Sequence, residues 1–366
     1  MEVWFRYSVS IGVPANYRHQ SRQFPDRPDL HRPRLVSFRC PGTPQFIIEH
    51  KQRRYAFLRE IGSDGASRVY EAVDLNGPPE ERFAIKRMDL ATCGRSTSAL
   101  RADWNVLAAL SHPNVATHSD FFRSATHAYI VAEHAEGGTL RAHVAQTVRG
   151  NRALAAQGAL TEDMARRVAQ QILSALAHCH DSHIVHGNLT LDTVLLDRNG
   201  NVKLTDFGTA RATPNEWRFT YCGTLDYSAP EAILTDESIA VRLRGAAEPS
   251  SDAAAPVGAD MWSCGVILYA MLVGRLPFQA ENRSLVRTSI LNGPLDIPPY
   301  ITTRAGELLR QLLEPDPATR MSSTAALHHG WMNGSPLLTP TRLALCDPGR
   351  AAAAADNAGD LAAPYG

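Results

Sequence analysis

The order of secondary-structure signals along the chain constrains its fold more than any other sequence feature. Apolar and β-branched runs typical of short strands come first. From 161 to 180 the apolar spacing becomes that of an amphipathic helix, and Thr161 is placed to cap its first turn. Strands followed by helices predict an α+β fold with two lobes. The strand-like segments are 55–61, 69–73, 82–87 and 129–133.

Charge, cysteine content and hydropathy argue against several functional classes. Lys+Arg and Asp+Glu both number 37, so the whole chain offers no electrostatic argument for binding nucleic acid or an anionic membrane. The 6 cysteines form no C-x-x-C pair, which favours a reducing, intracellular and cytoplasmic location. No apolar run reaches the roughly 18 residues that predict a membrane span. The segment from Val266 to Val273 is therefore predicted to be a buried core helix.

The two ends of the chain and one internal segment have the composition of disordered or surface regions. Residues 1–54 are rich in Arg and Pro and are predicted to form a disordered arm, although Arg-rich, acid-poor N-termini also occur in organelle-targeting peptides. Residues 333–366 form an Ala/Pro-rich tail that we expect to be disordered. Low-complexity residues at about 236–257 are predicted to be a surface insertion within the helical part. These assignments leave 55–332 as the folded domain.

Four motifs occur in a fixed order within this domain. They are a V-A-I-K-like strand, an intact D-F-G, an A-P-E and a D-x-W-S-x-G motif, at Phe83–Lys86, Asp206–Gly208, Ala229–Glu231 and Asp260–Gly265. Each motif is weak alone, but together and in this order they resemble the eukaryotic protein kinase family. The resemblance implies the two-lobed kinase fold, a scaffold pair between Arg320 and Glu231, and a protein partner or protein substrate.

The resemblance also divides the domain and suggests its subtype. It implies a small β-rich N-lobe over 55–135 and a larger helical C-lobe over 136–332. The stretch Gly258–Phe278 is most similar to calcium/calmodulin-dependent and AMP-activated kinases, which are serine/threonine kinases. Thr220 matches the usual phosphorylation position of the activation segment. However, Gly187 stands where the family has the arginine that would pair with such a phosphate, which argues against regulation through it.

The same resemblance implies an ATP site whose adenine side is largely kept. Lys86 would pair with the α- and β-phosphates, and Asp206 would bind the Mg²⁺ that bridges the phosphates. Asp103 takes the place of the glutamate that holds this lysine, with a side chain one methylene shorter. In the glycine-rich loop, Asp64 replaces a glycine and brings an anion towards the phosphates. Other residues implied to contact the nucleotide are Gly62 and Gly65 of the glycine-rich loop, Val69, Ala84 and Leu195, which would sandwich adenine, and Glu133 and Ala135, whose backbone groups would meet adenine.

The stretch His186–Leu196 keeps the apolar frame of the kinase catalytic loop but changes its chemistry. Asn188 replaces the aspartate that acts as general base, and an amide cannot accept a proton at neutral pH. Thr190 replaces a lysine beside the γ-phosphate, and Thr193 replaces the asparagine that holds a second metal ion. Three changes around one phosphate predict that transfer is lost or strongly impaired. The Janus kinase pseudokinase domains similarly have His-Gly-Asn at this position.

Three functional hypotheses follow from this pattern. The first is a serine/threonine-kinase-like pseudokinase that binds ATP and regulates through protein contacts. The second is a weakly active serine/threonine kinase that uses Lys86 and Asp206 to transfer the ATP γ-phosphate to protein. The third is a nucleotide-free scaffold in which Asp64 repels phosphate. The sequence predicts no oligomeric state, and the histidines and cysteine between 178 and 186 converge too poorly to predict a zinc site.

Overall fold

The computed structural model describes residues 34–37, 46–64, 67–78, 80–94, 96–150, 159–207, 224–234 and 254–334. The strands are β1 (Arg34–Ser37), β2 (Phe46–His50), β3 (Arg53–Asp64), β4 (Ser67–Asp74), β5 (Arg82–Asp89), β6 (His118–Arg123), β7 (His127–Glu133), β8 (Gly138–Thr139), β9 (Val194–Leu196) and β10 (Val202–Leu204). The helices are α1 (Thr97–Ala109), α2 (Leu140–Gly150), α3 (Glu162–Asp181), α4 (Pro230–Leu234), α5 (Ala254–Val273), α6 (Arg283–Asn292), α7 (Thr303–Leu312) and α8 (Ser323–Leu327), with a 3₁₀ turn at Leu225–Tyr227. Most strands precede most helices, so the α+β two-lobed fold predicted from the sequence is confirmed.

The N-lobe is an antiparallel sheet of seven strands in the order β1-β2-β3-β4-β5-β7-β6. One face carries an aromatic cluster, because alternate residues of neighbouring strands point to the same side. Phe46 stacks on Phe57 with ring centroids 4.1 Å apart, and Tyr55 and Phe57 are fully buried. Helix α1 packs against β6 and β7. The sheet therefore has an apolar core of its own, separate from that of the helical lobe.

The N-lobe sheet begins before the predicted domain boundary. Strands β1 and β2 lie within residues 1–54, which composition assigned to a disordered arm. Ile48 of β2 is only 1% exposed, and Lys51 Nζ lies 3.3 Å from Asp120 Oδ1 of β6. Residues 46–54 thus extend the sheet into the segment predicted as a disordered arm, because composition over a long window hides the short apolar run Phe46–His50. Residues 1–33 and 38–45 lie outside the described residues.

The C-lobe is organised around two long helices that pack on each other, α3 and α5. The Thr161 hydroxyl accepts a hydrogen bond from Met164 N at 3.3 Å, so the predicted cap of α3 is confirmed. Helix α5 contains Trp262 and Tyr269, both buried. The 18 residues Pro256–Val273 are apolar enough to cross a membrane by length and composition, yet 78% of this window is buried inside the protein. Such burial is typical of the core helix that the sequence predicts.

Several predictions fall on residues that the structure does not describe. They include Gly65 of the glycine-rich loop, Thr220 of the activation segment, the tail after 334 and residues 236–253 of the expected insertion. The end of that insertion is corrected, because Ala254–Val257 belong to the first turn of α5. The start of α5 is hard to place from sequence, since an alanine-rich run suits both a helix and a low-complexity loop.

The hinge joins the lobes, and a second segment of the N-lobe, before β6, contacts the C-lobe. The hinge, residues 134–137, runs from β7 to β8, while β8 pairs with β9 and β9 pairs with β10. Ahead of β6, Val115 forms a bridge with Leu204 of β10, and Asn114 Nδ2 donates to Val202 O at 3.0 Å. Both connections between the lobes are therefore anchored to the same small C-lobe sheet.

Candidate nucleotide and catalytic site

A lysine and an aspartate from different lobes form an ion pair in the cleft. Lys86, in the middle of β5, places Nζ 2.5 Å from Oδ1 of Asp206, which lies just after β10. Both side chains are partly shielded from solvent, with 24% and 33% of their surface exposed. Asp206 has a φ of 59°, a left-handed conformation that costs a non-glycine residue roughly 1–3 kcal/mol and is typical of functional sites. The fold thus brings together the two residues predicted to bind the phosphates and Mg²⁺.

The residues predicted to sandwich adenine lie on strands at either side of the hinge. Val69 of β4 pairs in register with Lys86 of β5, and Ala84 of β5 pairs with Ala132 of β7. Leu195 belongs to β9, on the C-lobe side. Val69, Ala84 and Leu195 are all half-buried, which leaves some apolar surface for a planar ring.

The hinge is closely held by the lobe below it. Glu133 ends β7, and its Oε1 lies 2.7 Å from Lys203 Nζ of β10, as an ion pair rather than an aligned hydrogen bond. Ala135 is 6% exposed. A Cβ on Gly137 would lie 2.6 Å from Asp197 O, so only glycine fits where the hinge passes the C-lobe. Glu133 and Ala135, both predicted to offer backbone groups to adenine, therefore belong to a fixed segment.

Asp103 and Gly62 also belong to the predicted nucleotide site, but fewer contacts define their roles. Asp103 is half-buried on α1, one helical turn before the buried Leu107, and its pairing with Lys86 stays a prediction. Gly62 is exposed in β3, where a Cβ would lie 4.0 Å from Val69 Cβ, an ordinary contact. The fold itself therefore has room for a side chain at 62, and contact of Gly62 with a nucleotide stays a prediction.

A buried carboxylate fixes the start of the catalytic loop. Asp260 of α5 is 1% exposed, and its Oδ2 accepts hydrogen bonds from His186 N at 2.8 Å and from His180 Nε2 at 3.0 Å. Its Oδ1 accepts from Gly187 N at 2.9 Å. Burial alone would raise the pKa of Asp260, but the interactions with His180, His186 and the Gly187 N–H together hold that pKa below its ordinary value. The carboxylate therefore stays charged and keeps the loop in place.

His186 and Gly187 show how the loop keeps its shape without the family's arginine. The His186 ring packs against Phe207 with centroids 4.4 Å apart, and its Nε2 lies 2.9 Å from Thr205 O, which makes Nε2 the protonated nitrogen. Burial lowers the pKa of His186, so the ring is neutral. Gly187 has a φ of 72°, in the left-handed region that glycine adopts without strain. This position therefore supplies neither a cation nor backbone strain.

The two threonines of the catalytic loop are engaged with the loop itself. Thr193 Oγ1 accepts a hydrogen bond from Thr190 N at 2.9 Å and donates to Asn188 O at 3.2 Å. Thr190 Oγ1 accepts from Thr193 N at 3.3 Å and from Asp192 N at 3.2 Å. Thr190 and Thr193 are buried, at 4% and 6% exposure. Their hydroxyls support a local turn, and they replace neither the cation nor the metal ligand that a kinase has here.

Comparison with known proteins decides the family. A family model described as the protein kinase domain matches residues 55–332. The chain belongs to the protein kinase family. CBL-interacting protein kinase 16 of Oryza sativa subsp. japonica is 35% identical over 286 residues, which are 76% of this chain and 56% of that protein. CBL-interacting serine/threonine-protein kinase 17 of Arabidopsis thaliana is 32% identical over 286 residues, 76% of this chain and 59% of that protein.

These relatives support a eukaryotic serine/threonine kinase type. The chain spans a little over half the length of both of them, at 56% and 59%. The matched part includes every residue of the cleft and the catalytic loop, because all of them fall within 55–332. The kinase-type scaffold pair predicted between Arg320 and Glu231 is confirmed as well, with hydrogen bonds of 2.6 and 2.9 Å and an Arg320 side chain that is 0% exposed.

Protein kinases in general use ATP with Mg²⁺, which neutralises charge on the phosphates. The donor set of this cleft fits one such ion: the carboxylate of Asp206 would hold it together with the phosphates, and Lys86 would hold the phosphates directly. The hydroxyl of Thr193 does not fit a second ion, because it is committed to the loop backbone. Over the ranges the structure describes, no group of three or more His, Cys, Asp or Glu side chains is placed to hold a metal ion by itself.

Several residues that shape the site were missed from sequence. Lys203 holds the hinge through Glu133. Arg141 of α2 donates from Nε to both carboxylate oxygens of Asp192 at 2.8 Å, and from Nη2 to the Tyr227 hydroxyl at 3.2 Å. The partners of Lys203 and Arg141 are distant in sequence, so no local pattern predicts these contacts. The one available signal was the rarity of lysine, which singles out Lys203.

Proposed function

We propose that this chain is a serine/threonine-kinase-like pseudokinase that binds ATP between Lys86 and Asp206 and regulates through protein contacts. Transfer of phosphate to protein is absent or strongly impaired. The observation that carries the proposal is the hydrogen bonding of the catalytic loop, in which the hydroxyls of Thr190 and Thr193 are used by the loop itself. Asn188, at the base position, cannot accept a proton at neutral pH.

The expected loss of rate is large. General-base catalysis contributes about 10²–10⁴ in rate, or roughly 3–5.5 kcal/mol of activation free energy. In phosphoryl transfer the base matters less than positioning and charge neutralisation. The chain, however, also lacks a cation at Thr190 and a metal ligand at Thr193. These losses act on one transition state, so they compound without being additive.

Nucleotide binding is supported by a different set of residues. Lys86 and Asp206 face each other across the cleft, and Val69, Ala84 and Leu195 present half-buried apolar surface beside the hinge. In the absence of phosphates, the lysine and the aspartate neutralise each other. With ATP bound, Lys86 would pair with the phosphates and Asp206 would hold a single Mg²⁺ in place of the lysine.

The test combines a γ-phosphate transfer assay with an ATP-binding measurement on the same preparation. The native chain should bind ATP without labelling itself or a peptide mixture above the level of Lys86→Ala. That variant should lose ATP binding, whereas Lys51→Ala, which removes a lysine that is 64% exposed outside the cleft, should keep it. Transfer by the native chain that Lys86→Ala abolishes would refute the pseudokinase proposal.

The second candidate is a weakly active serine/threonine kinase. It is favoured by the Lys86–Asp206 pair and by relatives that are named as protein kinases. The third candidate is a nucleotide-free scaffold, motivated by the anion that Asp64 adds to the glycine-rich loop. A thermal shift with ATP, measured with and without Mg²⁺, separates this scaffold from the other two. No shift in either condition favours the scaffold, and Asp64→Gly should then restore binding.

Two further parts of the proposal rest on sequence pattern alone. The subtype is calcium/calmodulin-dependent or AMP-activated kinase-like, from the pattern of Gly258–Phe278. The location is intracellular, from the scattered cysteines. Imaging of the tagged full chain, with and without residues 1–45, would check the location and any targeting by the arm.

A further inference from the structure

Lysine is rare in this chain, and its remaining positions are informative. Of the 37 Lys and Arg residues only three are lysines, namely Lys51, Lys86 and Lys203. Lys51 is 64% exposed, whereas Lys86 and Lys203 are 24% and 18% exposed. Arginine presents a wide planar fork, and lysine a compact ammonium. Of the two shielded lysines, Lys86 is assigned to the phosphates, which leaves the role of Lys203 to be explained.

Lys203 connects the C-lobe to the hinge. It lies in the middle of β10 and pairs in register with Leu195 of β9, so the two side chains share a face of the small sheet. Its Nζ reaches Glu133 Oε1 at 2.7 Å. Glu133 is also fixed through its backbone, since its N–H donates to Thr117 O at 2.9 Å. The ion pair therefore adds a side-chain anchor where the N-lobe sheet passes into the hinge.

An anchor at Glu133 controls how the hinge presents its backbone. This residue is one of the two whose backbone groups are predicted to meet adenine, so restraining its side chain also limits rotation of its peptide group. The ion pair is partly shielded, with 18% of Lys203 and 33% of Glu133 exposed. Losing either partner would leave a charge that water only partly stabilises, and the hinge would move to expose it.

We propose that Lys203 is a positioning residue for nucleotide recognition, which acts through Glu133 to hold the hinge in the orientation that accepts the adenine ring. This deepens the proposed function and rests on it. Lys86 meets the phosphates, whereas Lys203 orients the base without touching the ligand. Loss of Lys86 should therefore weaken binding of the phosphates, and loss of Lys203 should weaken binding of the adenine ring.

The two roles separate when ATP and adenosine are compared as ligands of the full chain. Lys203→Met should weaken both ligands by a similar factor, about tenfold. Lys86→Met should weaken ATP and leave adenosine within about twofold, because adenosine has no phosphates. Lys51→Met removes a lysine–carboxylate pair outside the cleft and should change neither affinity. Affinity for adenosine that is unchanged in Lys203→Met overturns the proposal.

A double variant shows whether Lys203 acts through Glu133. Glu133→Gln should weaken both ligands as Lys203→Met does, and the double variant should bind no worse than either single one, because both changes break one contact. Additive losses of affinity in the double variant would contradict an action of Lys203 through Glu133. Urea unfolding of each variant distinguishes a merely structural pair, for which stability falls while the affinity of the folded protein is kept.

A failure of ATP binding itself would remain distinguishable from a failure of this proposal. If the native chain binds neither ATP nor adenosine, the proposed function fails. Hydrogen exchange of the ligand-free protein then decides the positioning role. Amides of the hinge, residues 134–137, should exchange faster in Lys203→Met and in Glu133→Gln than in the native chain, while amides of α5 stay the same. Unchanged exchange in the hinge overturns the proposal.

Discussion

Replacing Asp260 with asparagine tests whether one buried carboxylate keeps the catalytic loop in place. Its two oxygens accept three hydrogen bonds, from His186 N, Gly187 N and His180 Nε2, at 2.8, 2.9 and 3.0 Å. The amide of Asp260→Asn keeps one oxygen and turns an NH₂ group towards N–H donors. At least one buried N–H is left without an acceptor, which costs about 1–3 kcal/mol. Asp260→Ala leaves all three donors without acceptors and should cost about 3–5 kcal/mol.

Urea unfolding near neutral pH measures these losses as changes in the free energy of unfolding. The matched control is Asp296→Asn, which removes a carboxylate that is 73% exposed and paired with Arg275, and should cost at most about 1 kcal/mol. Because the pKa of Asp260 is held below its ordinary value, its contribution is complete above about pH 4 and is lost as pH falls through the folded-state pKa. A free energy for Asp260→Asn within about 0.5 kcal/mol of the native value would refute the reasoning.

Three further predictions concern acid, the hinge and the loop. Burial lowers the pKa of His118 and His143. The free energy of unfolding should therefore be full above about pH 6.5 and fall below it, because the unfolded chain then takes up protons. Equal urea-unfolding free energies at about pH 7.5 and about pH 5.5 would contradict this. Gly137→Ala puts a Cβ 2.6 Å from a C-lobe carbonyl oxygen and should lower the free energy of unfolding by about 1–3 kcal/mol. The control Gly330→Ala has open space at its Cβ and should change that free energy by less than about 0.5 kcal/mol. Thr193→Val removes the acceptor of a buried loop amide and should cost about 1–3 kcal/mol while leaving the Mg²⁺ dependence of ATP binding unchanged; a changed dependence would identify Thr193 as a metal ligand.

The features that could be predicted from sequence are those that local residue patterns determine. The cap at Thr161 and the apolar spacing after it identify α3, because a helix buries one face at a fixed period. Lys86 and Asp206 were placed by short motifs in a known order, and the fold brings their side chains together. The pair between Arg320 and Glu231 came from the same order of motifs.

The features that sequence missed depend on contacts between distant residues or on length scales that composition cannot resolve. Strand β2 is a short apolar run inside an Arg- and Pro-rich segment, and it becomes a strand because β3 offers it a partner and an aromatic face. The Lys203–Glu133 contact joins two lobes, so neither residue stands out by its neighbours. For Thr190 and Thr193, sequence showed which family groups were lost. Only the structure shows where the new hydroxyls point.

The central claim is that the cleft holds ATP while the loop does not transfer its phosphate. The most direct measurement is a single-turnover experiment in which γ-labelled ATP and Mg²⁺ are bound to excess protein and the label is followed with time. The account predicts that bound label stays on ATP, with none on the chain or on added peptide above the level of Lys86→Ala. Label that moves to protein at a rate abolished by Lys86→Ala would contradict it.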